Sequence, residues 1–570
     1  MHILRSVLKT QFSWIHVLIG LYLVVGLFNL DRLPIAWNDE IQNLDPAMVW
    51  HHTGQFCSPL WPNPGAEKTF LSYPPLIEAW HCLWLFVGQS PGWIRFPFLI
   101  FHVLTAILLY RFVLNQLCDF SINQTEDKKY SPQLIENLAL LITALFLFDK
   151  ATGEIARSVR VETLILFLIL SFISLFPKSN NRNNITVTTA LGLCLGALSI
   201  AHLYTWPLVI TATLLLLNRL FQPPLKSTAL IHGFTLLLGI SAPIWAFWFL
   251  VKPEWNDLKA QLFMQAEDHS GTSIYSNLQG FFIGRFFPYN LEQPYTFFLH
   301  LFYWLASIRL LTHSFISAQT HFGKVPFFHV QNKMYRSFDT IFIPLLYLSF
   351  SLPTSLFLNP QHRYYPIQHL LGLLVIAVYL KNFNPQILWN PINHWMSIFK
   401  SKPSRPRPKS KIWKSLSPWI SLIFFISLFA PWTLRNTVAC LQRQERNPHT
   451  AINFLNKNLN SVPAGEILGE PIANYWLSQS PHPKNWKYGF EFYPQHFPFN
   501  PKIPRYFLSR VTPQQLPFLQ VQDSLILTPQ FDFTQKLGHT YNGFYLYKIP
   551  TALAWNRLTS PDILKITSGH

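Results

Sequence analysis

Two adjacent carboxylates follow the first apolar segment of the chain. Asp39 and Glu40 occur in AWNDEIQNLDP, shortly after an apolar run at 12–30. A carboxylate at a membrane boundary can take the proton of an acceptor hydroxyl during a transfer reaction. A second carboxylate can raise the proton affinity of the first by like-charge repulsion, or both can hold a divalent cation. Asp39 is the predicted base, and both roles of Glu40 stay open.

Several cations could bind a departing phosphate. A guanidinium is planar and can grip two phosphate oxygens at once. The predicted phosphate-binding residues are His269, Arg363, Arg285, Arg160 and Arg157, with His269 and Arg363 ranked first. Arg363 has an equally plain structural interpretation as an anchor at the membrane interface.

Other polar residues have two interpretations each. Glu162 is the third predicted catalytic acid, but a carboxylate is also favoured at a helix N-terminus, and the two interpretations are equally supported. His51 and His52 are adjacent and therefore do not share a helix face, so no joint metal site is predicted. We interpret His202 as marking a turn. Asp39 and Glu40 could themselves be a solvated loop that only sets topology.

Composition indicates the elements that must position these residues. Half of the 570 residues are apolar and 12% are charged, which is about half the share of a soluble domain. The net charge of +18 is scattered through loops between apolar runs, which predicts no nucleic-acid partner. The five cysteines are widely separated, so they predict neither a disulfide framework nor a zinc site. The chain is predicted to be a membrane protein.

Apolar runs near the length that a helix needs to cross a bilayer recur along the chain, so we predict a polytopic α-helical membrane protein with about 11 transmembrane helices. The first run is expected to be an anchor, because no small-residue cleavage site follows it. The runs lie at 12–30, 95–113, 135–148, 163–177, 187–202, 204–220, 229–251, 294–311, 337–358, 365–380 and 415–434.

Basic residues predict the orientation. The segment 381–414 carries eight basic residues and no acidic one, so it should be cytoplasmic. Counting spans from it makes the N-terminus cytoplasmic and the C-terminus extracytoplasmic. The outer side then receives loops 31–94, 149–162 and 252–293. No ER-retention ending follows Gly569-His570, which favours a bacterial inner membrane.

Two domains are predicted. Residues 1–434 form the transmembrane catalytic domain, and residues 435–570 form a small extracytoplasmic α/β domain. In the second domain, TAINFLNKNLN predicts a helix, whereas EILGE, SLILT and GFYLYKI predict strands. In the first outer loop, SYPPLIEAWHCLWLFVG is too short for a span and predicts a helix in the membrane interface.

Several motifs together resemble one enzyme superfamily. The Asp-Glu pair, YPPL, LFVG and SPGWIRFPFLIFHVLTAILLYRF resemble the N-terminal third of GT-C glycosyltransferases, in the branch with protein O-mannosyltransferases and lipid A aminoarabinose transferases. ARSVRVETLILFLIL, AEDHSG and HRYYPIQHLLGLL are similar to later family segments in the same order. The resemblance implies that Asp39 is the catalytic residue and that the anomeric carbon is inverted.

The chain departs from this family at two places. The family commonly has Asp where this chain has Glu162. The aminoarabinose transferases place a metal-binding Glu before the proline of the segment matching SYPPL, where this chain has Tyr73. Glu78 follows shortly and could substitute only if its helix turns it toward the site. A divalent cation is the one cofactor considered, and none is certain.

The predicted sidedness implies the donor. Nucleotide sugars are made in the cytoplasm and do not cross the bilayer, so outward-facing carboxylates need a sugar already carried on a lipid. We therefore predict an inverting glycosyltransferase that moves a hexosyl or pentosyl unit from a polyprenyl-phosphate donor to a hydroxyl of a lipid, glycan or protein acceptor, among membrane lipids. A transporter, a flippase or a non-catalytic binder of polyprenyl-linked glycans is the alternative, although the internal repeats of many transporters are missing from the sequence.

Overall fold

In the residues that it describes, the computed structural model is mainly helical, with one small sheet near the end of the chain. The description covers 12–31, 38–58, 66, 68–73, 76–123, 132–176, 185–220, 227–269, 295–322, 338–356, 365–382, 429–441, 450, 453–454, 457–458, 467–469, 506–509, 513–514, 516–526 and 543–549.

The helices follow the apolar runs of the sequence. In chain order they are α1 (Phe12–Leu27), α2 (Asn38–Thr53), α3 (Leu76–Leu85), α4 (Pro91–Asn123), α5 (Pro132–Leu147), α6 (Lys150–Ala156), α7 (Val161–Leu175), α8 (Ile185–Ser199), α9 (Trp206–Leu220), α10 (Ser227–Val251), α11 (Trp255–His269), α12 (Tyr295–Phe322), α13 (Phe338–Leu356), α14 (Tyr365–Asn382) and α15 (429–441). Short 3-10 turns occur at Leu203–Thr205 and Lys252–Glu254.

A helix occurs at each predicted apolar run from 12–30 to 365–380, whereas the predicted run at 415–434 lies outside the described residues up to 428. By length and composition, Pro91–Cys118 and Ala229–Phe249 are the described helices able to cross a membrane. The pair α6 and α7, bent by 107°, adds a third if it forms one span. The count of about 11 spans therefore stays a prediction.

Helix α14 is at the centre of the bundle. Every residue from 366 to 380 is buried, because α4, α12 and α13 pack around it. A helix that is apolar on all sides is expected in such a position. By contrast, α10 exposes Leu230, Phe234 and Phe249, as expected of a helix that faces lipid.

Helices α8 and α10 cross with their backbones close together. A Cβ added at Gly196 would lie 2.6 Å from the carbonyl oxygen of Ile240. Small residues let two backbones approach in this way inside a membrane bundle. Helix α10 leads into α11, which belongs to the predicted outer loop 252–293.

A mixed sheet lies within the predicted second domain. Its strands are β1 (Ile467–Gly469), β2 (Tyr506–Ser509), β3 (Gln520–Ile526) and β4 (Gly543–Lys548), in the order β1-β2-β4-β3. The β1–β2 pair is parallel, and the other pairs are antiparallel. The predicted segments EILGE and GFYLYKI contain β1 and β4, whereas SLILT overlaps only the end of β3, from Ser524 to Ile526. The two-domain division itself stays a prediction.

Candidate functional site

Asp39 and Glu40 lie in the first turn of α2, which begins at Asn38. The N-terminal end of a helix carries a partial positive charge that favours carboxylates. The side chain of Asp39 lies outside the described part, so the direction of its carboxylate stays a prediction. The position of its backbone is set by the neighbouring Glu40.

Glu40 is completely buried and is held by a bidentate ion pair with Arg95. The Nε and Nη2 atoms of Arg95 donate to the two carboxylate oxygens of Glu40, each at 2.7 Å. The backbone N–H of Val159 donates to Oε1 of Glu40 at 3.0 Å. Both oxygens of Glu40 are therefore engaged, and in this arrangement Glu40 anchors the start of α2 to α4 and to the loop between α6 and α7.

Arginines also hold the turn that follows α1. The Nη1 atom of Arg95 donates to the carbonyl oxygen of Leu30 at 2.9 Å, and Nη2 of Arg157 donates to that of Phe28 at 2.6 Å. Between these residues, Asn29 has a φ of 56°, in the left-handed region. Asn is one of the few residue types that adopt this conformation readily. The turn can therefore present both carbonyls to the arginines.

The loop between α6 and α7 and the first turn of α7 together carry three of the predicted site residues. Asp149 caps α6 by accepting from the backbone N–H of Thr152 at 2.9 Å. At the start of α7, Glu162 accepts from Nη2 and Nε of Arg160 at 3.0 and 3.2 Å, and both side chains are buried. Glu162 is thus placed where the helix dipole favours a carboxylate, beside a cation that balances its charge. The geometry supports the structural interpretation, and a catalytic role for Glu162 stays a prediction.

Arg157 is a buried cation of this loop, and not all of its hydrogen-bond donors are used in the described part of the chain. Its side chain is fully buried, and its guanidinium lies over the ring of Trp432, 5.6 Å from the ring centroid. In the described part of the chain, its Nε and Nη1 have no hydrogen-bond partner. A buried cation without such partners is costly to maintain, which makes these donors a candidate binding site for an anion.

Helix α15 covers this region. Its Trp432 donates from Nε1 to the carbonyl oxygen of Phe148 at 2.9 Å, and its Arg435 forms an ion pair with Glu154. An aromatic face attracts a guanidinium, so Trp432 both packs on α6 and stabilises the position of Arg157.

Helix α3 brings two further titratable groups out of solvent. This ten-residue helix is too short to cross a bilayer. Burial raises the pKa of Glu78 well above its ordinary value, and burial lowers the pKa of His81 to about 3. Within the described residues, Oε2 of Glu78 and both ring nitrogens of His81 have no hydrogen-bond partner. Both groups are therefore favoured in their neutral forms.

The remaining predicted residues cannot be compared with the site. Arg285 and Arg363 lie outside the described residues, and so does the side chain of His269 at the end of α11. Among the residues that the structure describes, no three His, Cys, Asp or Glu side chains form a group able to hold a metal ion. The divalent cation at Asp39 and Glu40 stays a prediction, although Arg95 already occupies the Glu40 carboxylate.

The structure adds residues that sequence reasoning did not select. Arg95 was contained in SPGWIRFPF but was used only for the family resemblance. A charged residue four positions into a long apolar helix was the available signal, because a charge there needs a partner. Trp432 and Arg435 gave no comparable signal. His202 accepts from the backbone N–H of Tyr204 and caps a 3-10 turn, which confirms the turn interpretation.

Comparison with solved structures shows that the chain has a fold similar to that of ArnT, which is a member of the GT-C superfamily. The predicted resemblance is confirmed at the level of the fold. No protein-family model matches the chain, and no curated protein matches its sequence.

The similar structures cover nearly the whole chain. The crystal structure of ArnT, a lipid A aminoarabinose transferase, from Cupriavidus metallidurans bound to undecaprenyl phosphate aligns with a TM-score of 0.50 and 12% identity over 95% of this chain and 99% of that chain. The apo form of ArnT aligns with a TM-score of 0.49 and 10% identity over 94% and 98% of the two chains. The archaeal oligosaccharyltransferase AglB from Archaeoglobus fulgidus, in complex with an inhibitory peptide and a dolichol-phosphate, gives a TM-score of 0.42 and 10% identity over 95% and 77%.

Proposed function

We propose that the chain is an integral membrane inverting glycosyltransferase that moves a hexosyl or pentosyl unit from a polyprenyl-phosphate donor to a hydroxyl acceptor at the outer face of the membrane. The observation that carries the proposal is the buried Arg157, whose Nε and Nη1 have no partner in the described part. Two residues later, Val159 contacts Glu40, the neighbour of Asp39. A candidate anion site thus lies two residues from a backbone group that binds the neighbour of the candidate base.

The reaction needs two functions from these residues. The Asp39 carboxylate takes the proton of the acceptor hydroxyl, and the acceptor oxygen attacks the anomeric carbon. The bond from that carbon to the phosphate oxygen breaks on the opposite face, so the configuration inverts and the polyprenyl phosphate leaves with the bonding electrons. Charge develops on the departing phosphate, where donors of Arg157 stabilise it. No step requires a metal ion.

The other predicted cations have distinct places in this proposal. His269, Arg363 and Arg285 are proposed to complete the phosphate site. Arg160 balances Glu162 and acts on the phosphate through the shape of the loop. ArnT has been crystallised with bound undecaprenyl phosphate, and the similar fold supports a polyprenyl phosphate as the proposed donor carrier. The acceptor is a lipid, glycan or protein hydroxyl.

The deciding experiment measures sugar transfer by the full-length protein in lipid nanodiscs. Polyprenyl-phosphate sugars of hexose and pentose type are supplied with lipid, glycan and peptide acceptors, and Asp39→Asn is compared with wild type. We expect Asp39→Asn to lose transfer, because it removes the base, while it still binds undecaprenyl phosphate. Unchanged transfer by this variant would contradict the proposal.

The alternative class is a transporter, flippase or non-catalytic binder of polyprenyl-linked glycans. A transporter moves the lipid-linked sugar between leaflets without breaking the glycosidic bond, and Asp39→Asn should then affect neither movement nor binding. For location, we propose a bacterial inner membrane with a cytoplasmic N-terminus and an extracytoplasmic C-terminus. Labelling of single cysteines placed at Asp39 and in 381–414 from each side of the membrane tests this orientation.

A further inference from the structure

One buried glutamine fastens α11 to the segment that precedes α3. The Oε1 atom of Gln261 accepts from the backbone N–H of Leu71 at 2.8 Å and from the hydroxyl of Ser72 at 3.0 Å. Its Nε2 donates to the carbonyl oxygen of Thr69 at 2.9 Å. The side chain is fully buried. Both ends of the amide therefore bind a segment that lies 190 residues earlier in the chain.

Apolar contacts surround this polar attachment. Leu71 packs with Val251 at the end of α10 and with Leu258 on α11. On the other side, Tyr73 packs against His202, and their ring centroids are 4.8 Å apart. The segment 69–73 is thus held between α11 and the turn that precedes α9.

Gln261 is the polar part of a narrow contact. In 255–263, the part of α11 whose side chains the structure describes, Leu258 and Gln261 are the buried residues, whereas Phe263 is 74% exposed. Positions three apart share one helix face. A leucine at position 261 would preserve apolar contact but would remove the partner of the buried N–H of Leu71 and of the partly buried carbonyl of Thr69.

We propose that Gln261 is a positioning residue that couples two of the predicted outer loops, 31–94 and 252–293. It fixes α11, which ends at His269, against the segment that joins α2 to α3. The proposed base at Asp39, which acts on the acceptor hydroxyl, and the proposed phosphate-binding His269, which acts on the donor, then work in the same transfer. This role rests on the proposed function, and it concerns a residue that touches neither the donor nor the acceptor.

The coupling should appear in turnover more than in donor binding. A small displacement of a group that acts in the transition state can lower a rate about 100-fold. We expect Gln261→Leu to lower kcat by about 10- to 100-fold, with little change in the donor KM. A role limited to stability would instead lower the amount of folded protein and leave the kcat of the folded fraction unchanged.

A conservative variant, Gln261→Glu, should recover part of the lost kcat at low pH. In Gln261→Glu, the introduced carboxyl can donate to Thr69 only while it is protonated, but it accepts from Leu71 and Ser72 in either form. The kcat of Gln261→Glu relative to wild type should therefore rise as the pH falls. The matched control is Ala260→Leu, which adds the same apolar residue at an exposed position of α11.

The closing experiment measures kcat, donor KM and hydrogen exchange of the Leu71 amide in full-length wild type, Gln261→Leu, Gln261→Glu, Ala260→Leu and Asp39→Asn. Support requires faster Leu71 exchange and a lower kcat in Gln261→Leu, relative recovery of Gln261→Glu at low pH, and a control that matches wild type. If Asp39→Asn loses transfer and Gln261→Leu keeps the wild-type kcat, the positioning role is overturned. Unchanged transfer in Asp39→Asn overturns the proposed function instead.

Discussion

The guanidinium of Arg95 holds the carboxylate of Glu40 in a fully buried, bidentate ion pair with 2.7 Å between each donor and acceptor. This pair joins the start of α2 to the start of α4 and lies one residue from the predicted base. Removing one member of a buried ion pair leaves the other charge without compensation, which typically costs about 3–5 kcal/mol. The pair is therefore expected to be central to the stability of the site.

The first prediction concerns this pair. Arg95→Met should lower the free energy of unfolding by about 3–5 kcal/mol, because Glu40 stays buried without its cation. The double variant Glu40→Gln/Arg95→Met should recover much of the loss, since the amide oxygen can still accept from Val159. Denaturant unfolding in detergent measures the free energy of unfolding of both variants. A double variant less stable than Arg95→Met would contradict this interpretation.

The second prediction concerns donor binding at Arg157. Arg157→Gln should weaken the binding of undecaprenyl phosphate by about 10- to 100-fold, because charge-assisted hydrogen bonds to the phosphate are lost. Binding is measured by titrating the protein in nanodiscs with undecaprenyl phosphate, with undecaprenol as the competitor. This competitor lacks the phosphate, so the comparison separates the contribution of the phosphate to binding from that of the lipid tail. The control Arg111→Gln changes an exposed arginine of α4. Equal binding by Arg157→Gln and wild type would remove Arg157 from the phosphate site.

The third prediction concerns the pH dependence of stability through Glu78. Burial raises the pKa of this carboxyl in the folded state, so its contribution to stability is fully present below the unfolded pKa and is lost as the pH rises through the folded pKa. Glu78→Gln removes this titration. We expect the Tm of Glu78→Gln minus that of wild type to increase with rising pH.

The control for that measurement is Glu254→Gln, which changes an exposed carboxyl just before α11. Its Tm should follow the wild-type pH profile. A constant difference between Glu78→Gln and wild type over the whole pH range would show that the Glu78 carboxyl does not titrate in the way that its burial implies.

Local patterns in the sequence were enough to predict the helices, but they did not predict which polar side chains pair with each other in the site. Apolar runs predicted α4 and α10, and the short aromatic run after YPPL predicted α3, because hydrophobic length and periodicity are local properties. Glu40 was selected as a catalytic candidate, whereas its carboxylate is bound by Arg95, 55 residues later. The choice of partner depends on tertiary packing, which a list of charges does not contain. Gln261 gave no signal at all, since a single glutamine in a polar helix is ordinary.

The last prediction separates packing from binding where α15 covers α6. A Cβ at Gly153 would overlap the ring of Trp432, so Gly153→Ala should displace this ring and lower the free energy of unfolding by about 1–3 kcal/mol. Because the ring also lies over Arg157, the binding of undecaprenyl phosphate should weaken as well. Adding Trp432→Leu makes room for the new methyl group and should restore part of the stability, but it does not restore the aromatic face beside the guanidinium. Gly20→Ala is the control, since a Cβ there meets nothing within 4 Å. Parallel recovery of stability and binding in the double variant would mean that Trp432 acts on Arg157 through packing alone.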